Sequence, residues 1–134
     1  MWNLKDKTVV ITGATNGIGK AAALELAKQG PKLLLTFRNQ ELADNLLAEI
    51  KTAAPDVSVE LIYCDFSMQS SIRECSKEII ASQDKIDVLI NNAGVVNTSY
   101  HETSEGIENT FAVNHLGYFL FTNLLLNKMK GPEE

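Results

Sequence analysis

The stretch TGATNGIG, residues 12–19, decides the fold of this chain. It follows a short run of apolar, β-branched residues and precedes a segment whose apolar residues recur every three or four positions, which is typical of a turn from a strand into a helix. Gly13 can take the backbone angles of such a turn, and Gly17 has no Cβ to obstruct a diphosphate. Gly19 lets the helix lie close to the strand. The amides and partial positive charge at the helix start then favour a bound phosphate group.

Apolar segments of two kinds alternate along the rest of the chain. Four short apolar runs predict strands, at residues 8–12, 33–37, 57–64 and 86–91. Three longer segments predict amphipathic helices, with the buried faces Ile18, Ala22 and Leu26, then Leu42, Leu46 and Ile50, then Ile72, Cys75 and Ile79. Asn39 and Ser67 are the expected N-caps of the second and third helices. This alternation predicts an α/β fold, a parallel sheet with helices on both faces.

The last segment is expected to be helical from about residue 103 to residue 130. Asn114 and Gly117 are poor helix formers in its middle and predict a kink there. This helix is apolar on much of its circumference, which indicates burial on more than one side. Its most apolar part, residues 116–126, is too short to cross a bilayer, which takes about 20 apolar residues.

The composition is that of an ordinary soluble domain. The 134 residues are 45% apolar and 22% charged, and they suffice for one domain with a core. A net charge of −5 argues against nucleic acid as a partner. Cys64, Cys75, His101 and His115 lack the spacing of metal ligands, and the two cysteines are expected to be free thiols. No leader segment fits before the first strand, so a cytoplasmic protein is expected.

On the residues alone, the glycine-rich turn has two other interpretations. The turn could simply occur without a ligand. It could also be the phosphate loop of an ATPase, because Lys20 follows Gly19. Ala21 then stands where a serine or threonine should hold magnesium, which argues against that loop.

In its position after a strand, Thr-Gly-x-x-x-Gly-Ile-Gly resembles the short-chain dehydrogenase/reductase family. Three further segments extend the resemblance over essentially the whole chain: Asp65, the NNAG sequence at residues 91–94, and Asn114 within residues 111–117. The resemblance implies that Asp65 contacts an adenine ring and that residues 91–94 steady the sheet beside a cofactor. It also implies that Asn114 belongs to a catalytic tetrad and holds a water through its backbone at a helix kink. The residues around Asn114 are most similar to the retinol-dehydrogenase-like branch.

Each of these segments also has a purely structural explanation. Asp65 could cap the turn into the third helix through Ser67. Asn91 and Asn92 could satisfy backbone groups where a strand ends. Asn114 could be a polar residue on a solvated helix face. Taken together and in this order, the four segments favour a cofactor site in a Rossmann-type, doubly wound sheet.

The resemblance and the glycine-rich turn together give a set of candidate site residues. The expected cofactor-binding residues are Thr12, Gly13, Thr15, Asn16, Gly17, Ile18, Gly19, Arg38, Asp65, Asn91, Ala93 and Gly94. Asn114 is the one expected member of the catalytic tetrad, and no metal site is expected.

Residues 36–39 decide between the two nicotinamide dinucleotides. A carboxylate at the end of the second strand would bind the ribose diol of NAD and repel a 2′-phosphate. This chain has no acid there, and Arg38 can pair with the phosphate of NADP instead. The alternative for Arg38 is a solvated surface position. NADP(H) is therefore expected over NAD(H).

The chemistry of the family requires a tyrosine followed four positions later by a lysine, and an upstream serine. Four residues beyond Tyr63, Tyr100 and Tyr118 stand Ser67, Ser104 and Thr122, so the motif is absent. Residues 1–134 are expected to be an incomplete NAD(P)-binding domain, truncated after the fourth strand and the long helix that follows. A small carbonyl or alcohol substrate is expected only with the missing C-terminal part. The alternative is a non-catalytic cofactor-binding module that forms a homo- or heterodimer through its last helix.

Overall fold

The computed structural model describes residues 3–131 as four strands with helices between and after them. The strands are β1 (Thr8–Ile11), β2 (Lys32–Phe37), β3 (Ser58–Tyr63) and β4 (Val88–Ile90). The helices are α1 (Gly17–Ala27), α2 (Gln40–Ala53), α3 (Gln69–Ser82), α4 (Asn109–Phe111) and α5 (Gly117–Met129). A π-helical turn, Ala112–Leu116, joins α4 to α5 without interruption.

The four strands form one parallel sheet in the order β3-β2-β1-β4. Val10 of β1 lies opposite Leu34 of β2 on one side and Leu89 of β4 on the other. A helix connects each strand to the next. The predicted α/β, Rossmann-type parallel sheet is thereby confirmed.

Two apolar cores lie on the two faces of the sheet. Val9 and Ile11 of β1 pack in the core formed with α1 and α2, whereas Val10 packs in the core formed with α3 and α5. Because successive strand residues point to opposite faces, strands covered on both sides are apolar at nearly every position. This requirement explains the short continuous apolar runs by which the strands were predicted.

The buried face predicted for α1 is wrong by one position. The structure buries Gly19, Ala23 and Ala27, and Ile18 is 83% exposed. At Gly19 the helix approaches the turn and Asn92 so closely that a Cβ would collide with them. Leu24 and Leu26 are only partly buried against the core, so the large apolar residues of α1 do not mark the centre of its buried face.

The other two predicted helix faces are closer to the structure. In α2, Leu46 and Ile50 are buried as predicted, but Ala43 takes the inner position expected for Leu42. Ile72, Cys75 and Ile79 of α3 are all buried as predicted.

One predicted N-cap is confirmed and the other is wrong. The side chain of Asn39 accepts a hydrogen bond of 3.0 Å from the backbone N–H of Leu42 and caps α2. The N-cap of α3 is Met68, one residue after Ser67. Ser67 instead donates to the carboxylate of Asp65 through its own N–H and hydroxyl groups.

The last helix begins later than predicted. Residues 103–107 form a turn, in which the Thr103 N–H donates to the Ile107 carbonyl. The carboxylate of Glu108 accepts from the N–H groups of Thr110 and Phe111 and starts the helix there. These two hydrogen bonds also hold the pKa of Glu108 below its ordinary value. No helix within residues 3–131 has both the length and the apolar content to cross a membrane.

The kink predicted at Asn114 and Gly117 corresponds to the π-helical turn. The Gly117 N–H donates to the Ala112 carbonyl, five residues earlier, which inserts an extra residue into that turn. A Cβ on Gly117 would lie 3.0 Å from the Phe66 ring. The glycine thus allows the start of α5 to pack directly on Phe66.

Candidate cofactor-binding site

A cavity lies at the carboxyl ends of the strands, where the order of the sheet changes direction between β1 and β4. Ligands of open α/β sheets bind at such switch points. The cavity has a volume of about 510 Å³, within the range of small-molecule sites. It is lined by Gly13, Thr15, Asn16, Gly17, Ile18, Thr36, Phe37, Arg38, Asn39, Leu42, Cys64, Asp65, Phe66, Asn92, Ala93, Gly94, Val95 and Val113.

The start of α1 faces this cavity with uncommitted amide groups. The first hydrogen bond of the helix runs from the Lys20 N–H to the Asn16 carbonyl, 3.1 Å, so the N–H groups of residues 17–19 precede it. Asn16 makes no side-chain cap, and the first turn holds no acidic residue. Gly17 has a φ of +54° and faces open space. These features create an anion cradle at the start of α1, where an anion can approach the backbone at Gly17 without meeting a side chain of that residue.

Gly13 and Gly19 make room for the chain that follows β4. Gly13 has a φ of +62°, and a Cβ there would lie 2.6 Å from the Cα of Ala93. A Cβ on Gly19 would collide with the side-chain amide of Asn92 and with the Gly13 carbonyl. The close neighbours of Gly19 are therefore the turn itself and Asn92. Both glycines are required for residues 92 and 93 to lie against the turn.

Thr12 and Asn92 bind the glycine-rich turn to the end of β4. The Thr12 hydroxyl oxygen accepts hydrogen bonds from the N–H groups of Asn92, at 2.9 Å, and Ala93, at 3.0 Å. The Asn92 side chain donates to the carbonyls of Thr12, at 3.2 Å, and Gly13, at 3.0 Å. Thr12 is fully buried. Thr12 does not line the cavity; its hydroxyl holds the backbone of Asn92 and Ala93, which do.

Arg38 and Asp65 lie across the cavity from α1. Arg38 Nη1 is 4.0 Å from Asp65 Oδ1, and the Arg38 side chain is 60% exposed. Asp65 Oδ1 accepts from the N–H of Ser67, at 2.9 Å, and from its hydroxyl, at 2.7 Å. Asp65 therefore lines the cavity and also fixes the turn toward α3. Lys20 pairs with Glu49 at 2.7 Å, away from the lining.

The remaining two asparagines of the expected site lie outside the lining. Asn91 Nδ2 donates to Thr122 Oγ1 of α5, at 3.0 Å. Asn114 accepts from the Val95 N–H through Oδ1, at 2.9 Å, and donates to the Val95 carbonyl through Nδ2, at 2.7 Å. Both side chains fasten the chain after β4 to the last helix.

Most of the sequence-predicted site residues come together around the cavity. Those in its lining are Gly13, Thr15, Asn16, Gly17, Ile18, Arg38, Asp65, Ala93 and Gly94. Thr12, Gly19, Asn91 and Asn114 support it from outside. Sequence reasoning missed the apolar wall of Phe37, Leu42, Phe66, Val95 and Val113. Phe37 and Phe66 stand near the ends of the predicted second and third strands, and this position is a signal that could have found them.

The lining carries little charge. Within the described residues that line the cavity, Arg38 is the one cation and Asp65 the one acid. Contact with the Cys75 thiol and burial raise the pKa of the Cys64 thiol, so this part of the wall is neutral. Beside the cavity, burial raises the pKa of Tyr118, and the nearby Thr12 hydroxyl offsets part of that rise.

The sequence and this geometry match one family of enzymes. The family model described as short chain dehydrogenase covers residues 7–134. The chain belongs to the short-chain dehydrogenase family. The resemblance inferred from its glycine-rich turn, Asp65, residues 91–94 and Asn114 is thereby confirmed.

Curated relatives of this short-chain dehydrogenase chain include proteins named as retinol and polyprenol dehydrogenases. Human retinol dehydrogenase 13 is 44% identical over 124 residues, which are 92% of this chain and 38% of that protein. Human polyprenol dehydrogenase is 37% identical over 125 residues, which are 93% of this chain and 38% of that protein. The chain thus spans well under half the length of these relatives.

Solved structures of other short-chain dehydrogenases share the fold. Levodione reductase superposes with a TM-score of 0.80 at 28% identity, covering 94% of this chain and 50% of that one. A short-chain dehydrogenase from Sphingobium yanoikuyae in complex with NADPH superposes with a TM-score of 0.75 at 29% identity, covering 89% of this chain and 46% of that one.

Proposed function

We propose that the cavity binds a nicotinamide dinucleotide, NADP(H) in preference to NAD(H). The observation that carries the proposal is the uncapped start of α1, where Gly17 and Ile18 line the cavity and the first-turn N–H groups have no side-chain partner. Amides at a helix N-terminus bind phosphate well because the helix dipole adds positive charge there. The diphosphate would lie at these amides.

The preference for NADP(H) rests on Arg38. The guanidinium lies in the cavity lining just after β2 and has more than half of its side chain exposed. Its only acidic neighbour in the lining, Asp65, is 4.0 Å away and is already bonded to Ser67. Arg38 can therefore turn to a 2′-phosphate, and the fork of donors suits that group.

The reaction that follows from the family is hydride transfer between NADPH and a carbonyl compound, or the reverse oxidation of an alcohol. The cofactor supplies the hydride chemistry. The residues of this chain bind and orient it, and Asn114 holds the Val95 segment beside the cavity. The names of the retinol and polyprenol dehydrogenases support an alcohol or carbonyl substrate.

We further propose that these 134 residues catalyse no hydride transfer by themselves. They contain no tyrosine with a lysine four positions later, and hydride transfer to a carbonyl needs a proton donor near the reacting oxygen. A substrate requires the residues that the longer relatives possess beyond this span.

Titration of the purified chain with both cofactors tests the proposed function. We expect NADPH to bind with a lower dissociation constant than NADH, measured by the fluorescence change of the reduced nicotinamide and by calorimetry. Equal affinity would remove the role given to Arg38. No binding of either cofactor to a folded sample would remove the proposed function.

A second candidate function is a non-catalytic binding module that pairs through its last helix. Phe111, Phe119 and Leu126 expose 51%, 67% and 39% of their surface along this helix. Among the described strands, β4 pairs on one side only. Exposed apolar side chains grouped on one helix favour association with another protein surface.

A further inference from the structure

We propose that Asn16 is a site of spontaneous deamidation, and that its conversion weakens cofactor binding by placing a negative charge in the anion cradle. The second half of this inference rests on the proposed function, whereas the first half rests on the chain alone. Asn16 and Gly17 form the one Asn-Gly pair in the 134 residues. Asparagine followed by glycine reacts most readily because the next residue has no side chain to hinder attack on the amide.

The reaction needs only the two residues and water. The Gly17 backbone nitrogen loses its proton and attacks Cγ of Asn16, forming an N–Cγ bond. The Cγ–Nδ2 bond breaks and ammonia leaves, which gives a five-membered succinimide. Water then opens the ring at either carbonyl, leaving an aspartate or an isoaspartate. No oxidant or reductant takes part.

The structure leaves both reacting groups accessible. Asn16 and Gly17 are exposed, and the Asn16 side chain makes no hydrogen bond to the start of α1. The space beside Gly17 is open, since a Cβ built there meets no atom within 4 Å. No neighbouring atom therefore hinders the approach of the Asn16 Cγ to the Gly17 nitrogen from that open side.

The N-terminal end of α1 also favours succinimide formation at Asn16. The attacking nitrogen must become anionic, and negative charge develops on the amide oxygen during attack. Both charges form at the positive end of the α1 dipole, which stabilises them. The rate should therefore be high for a folded protein and should rise with pH, because the nitrogen must first lose its proton.

Other asparagines of the same chain provide internal controls. Asn39 caps α2 through its side chain. Asn92 holds the carbonyls of Thr12 and Gly13, and alanine, not glycine, follows it. Hydrogen bonding fixes these amides, and neither residue precedes a glycine, so both should stay intact while Asn16 reacts.

The product changes the cavity in which Asn16 lies. A carboxylate beside the amides of residues 17–19 competes with a diphosphate for them and repels it. Two unit charges a few ångströms apart at a protein surface interact strongly enough to change affinity about tenfold or more. An isoaspartate also lengthens the backbone by one atom within the turn. A bound dinucleotide would in turn cover the reacting groups and slow the reaction.

The test follows both the modification and its effect. The purified chain is incubated in mildly alkaline buffer with and without NADPH, and peptide mapping by mass spectrometry reports the exchange of NH₂ for OH at each asparagine. We expect Asn16 to convert well ahead of Asn39 and Asn92, and NADPH to slow the conversion of Asn16. An Asn16 rate no faster than those of the two controls would overturn the proposal.

Two variants separate the modification from its consequence. Asn16→Asp should bind NADPH about tenfold more weakly than the fresh chain. The affinity of Asn16→Gln, whatever its starting value, should not change during the incubation, because ring closure of glutamine is slow. Unchanged binding by Asn16→Asp would overturn the effect on the cofactor. Fresh chain that binds neither nicotinamide dinucleotide would remove the proposed function instead, and the Asn16 rate would still decide the modification.

Discussion

At the scale of single residues, the site depends on atoms that lie far apart in the sequence. The Asn92 amide donates to the carbonyls of Thr12 and Gly13, about eighty positions earlier. Gly13 and Gly19 are required there because a Cβ on either would strike the chain after β4 or its side chains. The glycine pattern therefore has two physical origins. Gly17 leaves the cavity open to a ligand, whereas Gly13 and Gly19 allow the turn to pack against residues 92 and 93.

The first prediction concerns Arg38. Arg38→Ala should raise the dissociation constant for NADPH about ten- to a hundredfold, because a charge-assisted hydrogen bond to a phosphate is worth ~1.5–3 kcal/mol. The constant for NADH should stay nearly unchanged. Titration of both cofactors measures the effect. Lys20→Ala is the matched control, since Lys20 pairs with Glu49 outside the lining. Similar losses for both cofactors would contradict the specific role of Arg38.

The second prediction concerns Gly19. Gly19→Ala should lower the free energy of unfolding by ~1–3 kcal/mol, because its Cβ would overlap the Asn92 side chain and the Gly13 carbonyl. Urea unfolding followed by circular dichroism measures the change. Gly131→Ala is the control, since a Cβ there meets no atom within 4 Å. A Gly19→Ala variant as stable as this control would show that the turn can move away from Asn92.

At the scale of elements, the sequence predicts strands better than helix faces. Both faces of the sheet are covered around β1 and β2, so the strands are mostly apolar and the apolar run itself is the signal. A helix face is predicted from large apolar residues, whereas the buried residues of α1 are the small ones Gly19, Ala23 and Ala27. The late start of the last helix also escaped prediction, because the turn of residues 103–107 depends on its own backbone hydrogen bonds.

The third prediction concerns the junction of β1 and β4 at Asp87. Its carboxylate accepts from the Lys85 ammonium at 2.9 Å and from the Thr8 N–H at 3.0 Å. These two bonds, that from Lys85 the stronger, hold its pKa below the ordinary 3.8. A group with a lowered folded pKa adds stability above its unfolded pKa and loses it as the pH falls through the folded value. Stability should therefore drop as the pH falls below about 4.

Urea unfolding across this pH range checks the third prediction. Asp87→Asn should be less stable than the wild type at neutral pH, and the difference should shrink in acid as the wild-type carboxylate becomes protonated. Asp84→Asn, at a neighbouring exposed position, should follow the wild-type curve. A constant difference between Asp87→Asn and the wild type at every pH would refute the role of the charge.

At the scale of the whole molecule, the sheet and its two cores bring the ends of all four strands to one cavity. β1 lies between β2 and β4, so the glycine-rich turn meets Arg38 on one side and residues 92–94 on the other. The last helix covers the core beneath β4 through Phe121 and Leu125. Its other side remains apolar and exposed.

The fourth prediction concerns this exposed side. If this exposed side pairs with another copy of the chain, the chain should associate as its concentration rises. Phe119→Ser should reduce the association, because the substitution removes the most exposed apolar side chain of α5. Light scattering coupled to gel filtration measures the mass. Tyr100→Ser is the control, since Tyr100 is 69% exposed on the loop before the last helix. A monomer at every concentration would contradict the second candidate function.

The sequence by itself determined the α/β class, the four strands, the strand-to-helix turn and most of the residues around the cavity. These depend on local rules, namely apolar periodicity, the conformational freedom of glycine and the polar residues that follow strands. Only the tertiary structure decided that Thr12 and Asn92 join the turn to β4, that α1 packs through small residues, and that Asn91 and Asn114 fasten the last helix. Each of these is a contact between segments distant along the chain, and a local pattern contains no information about which distant group will satisfy a buried donor or fill a given space.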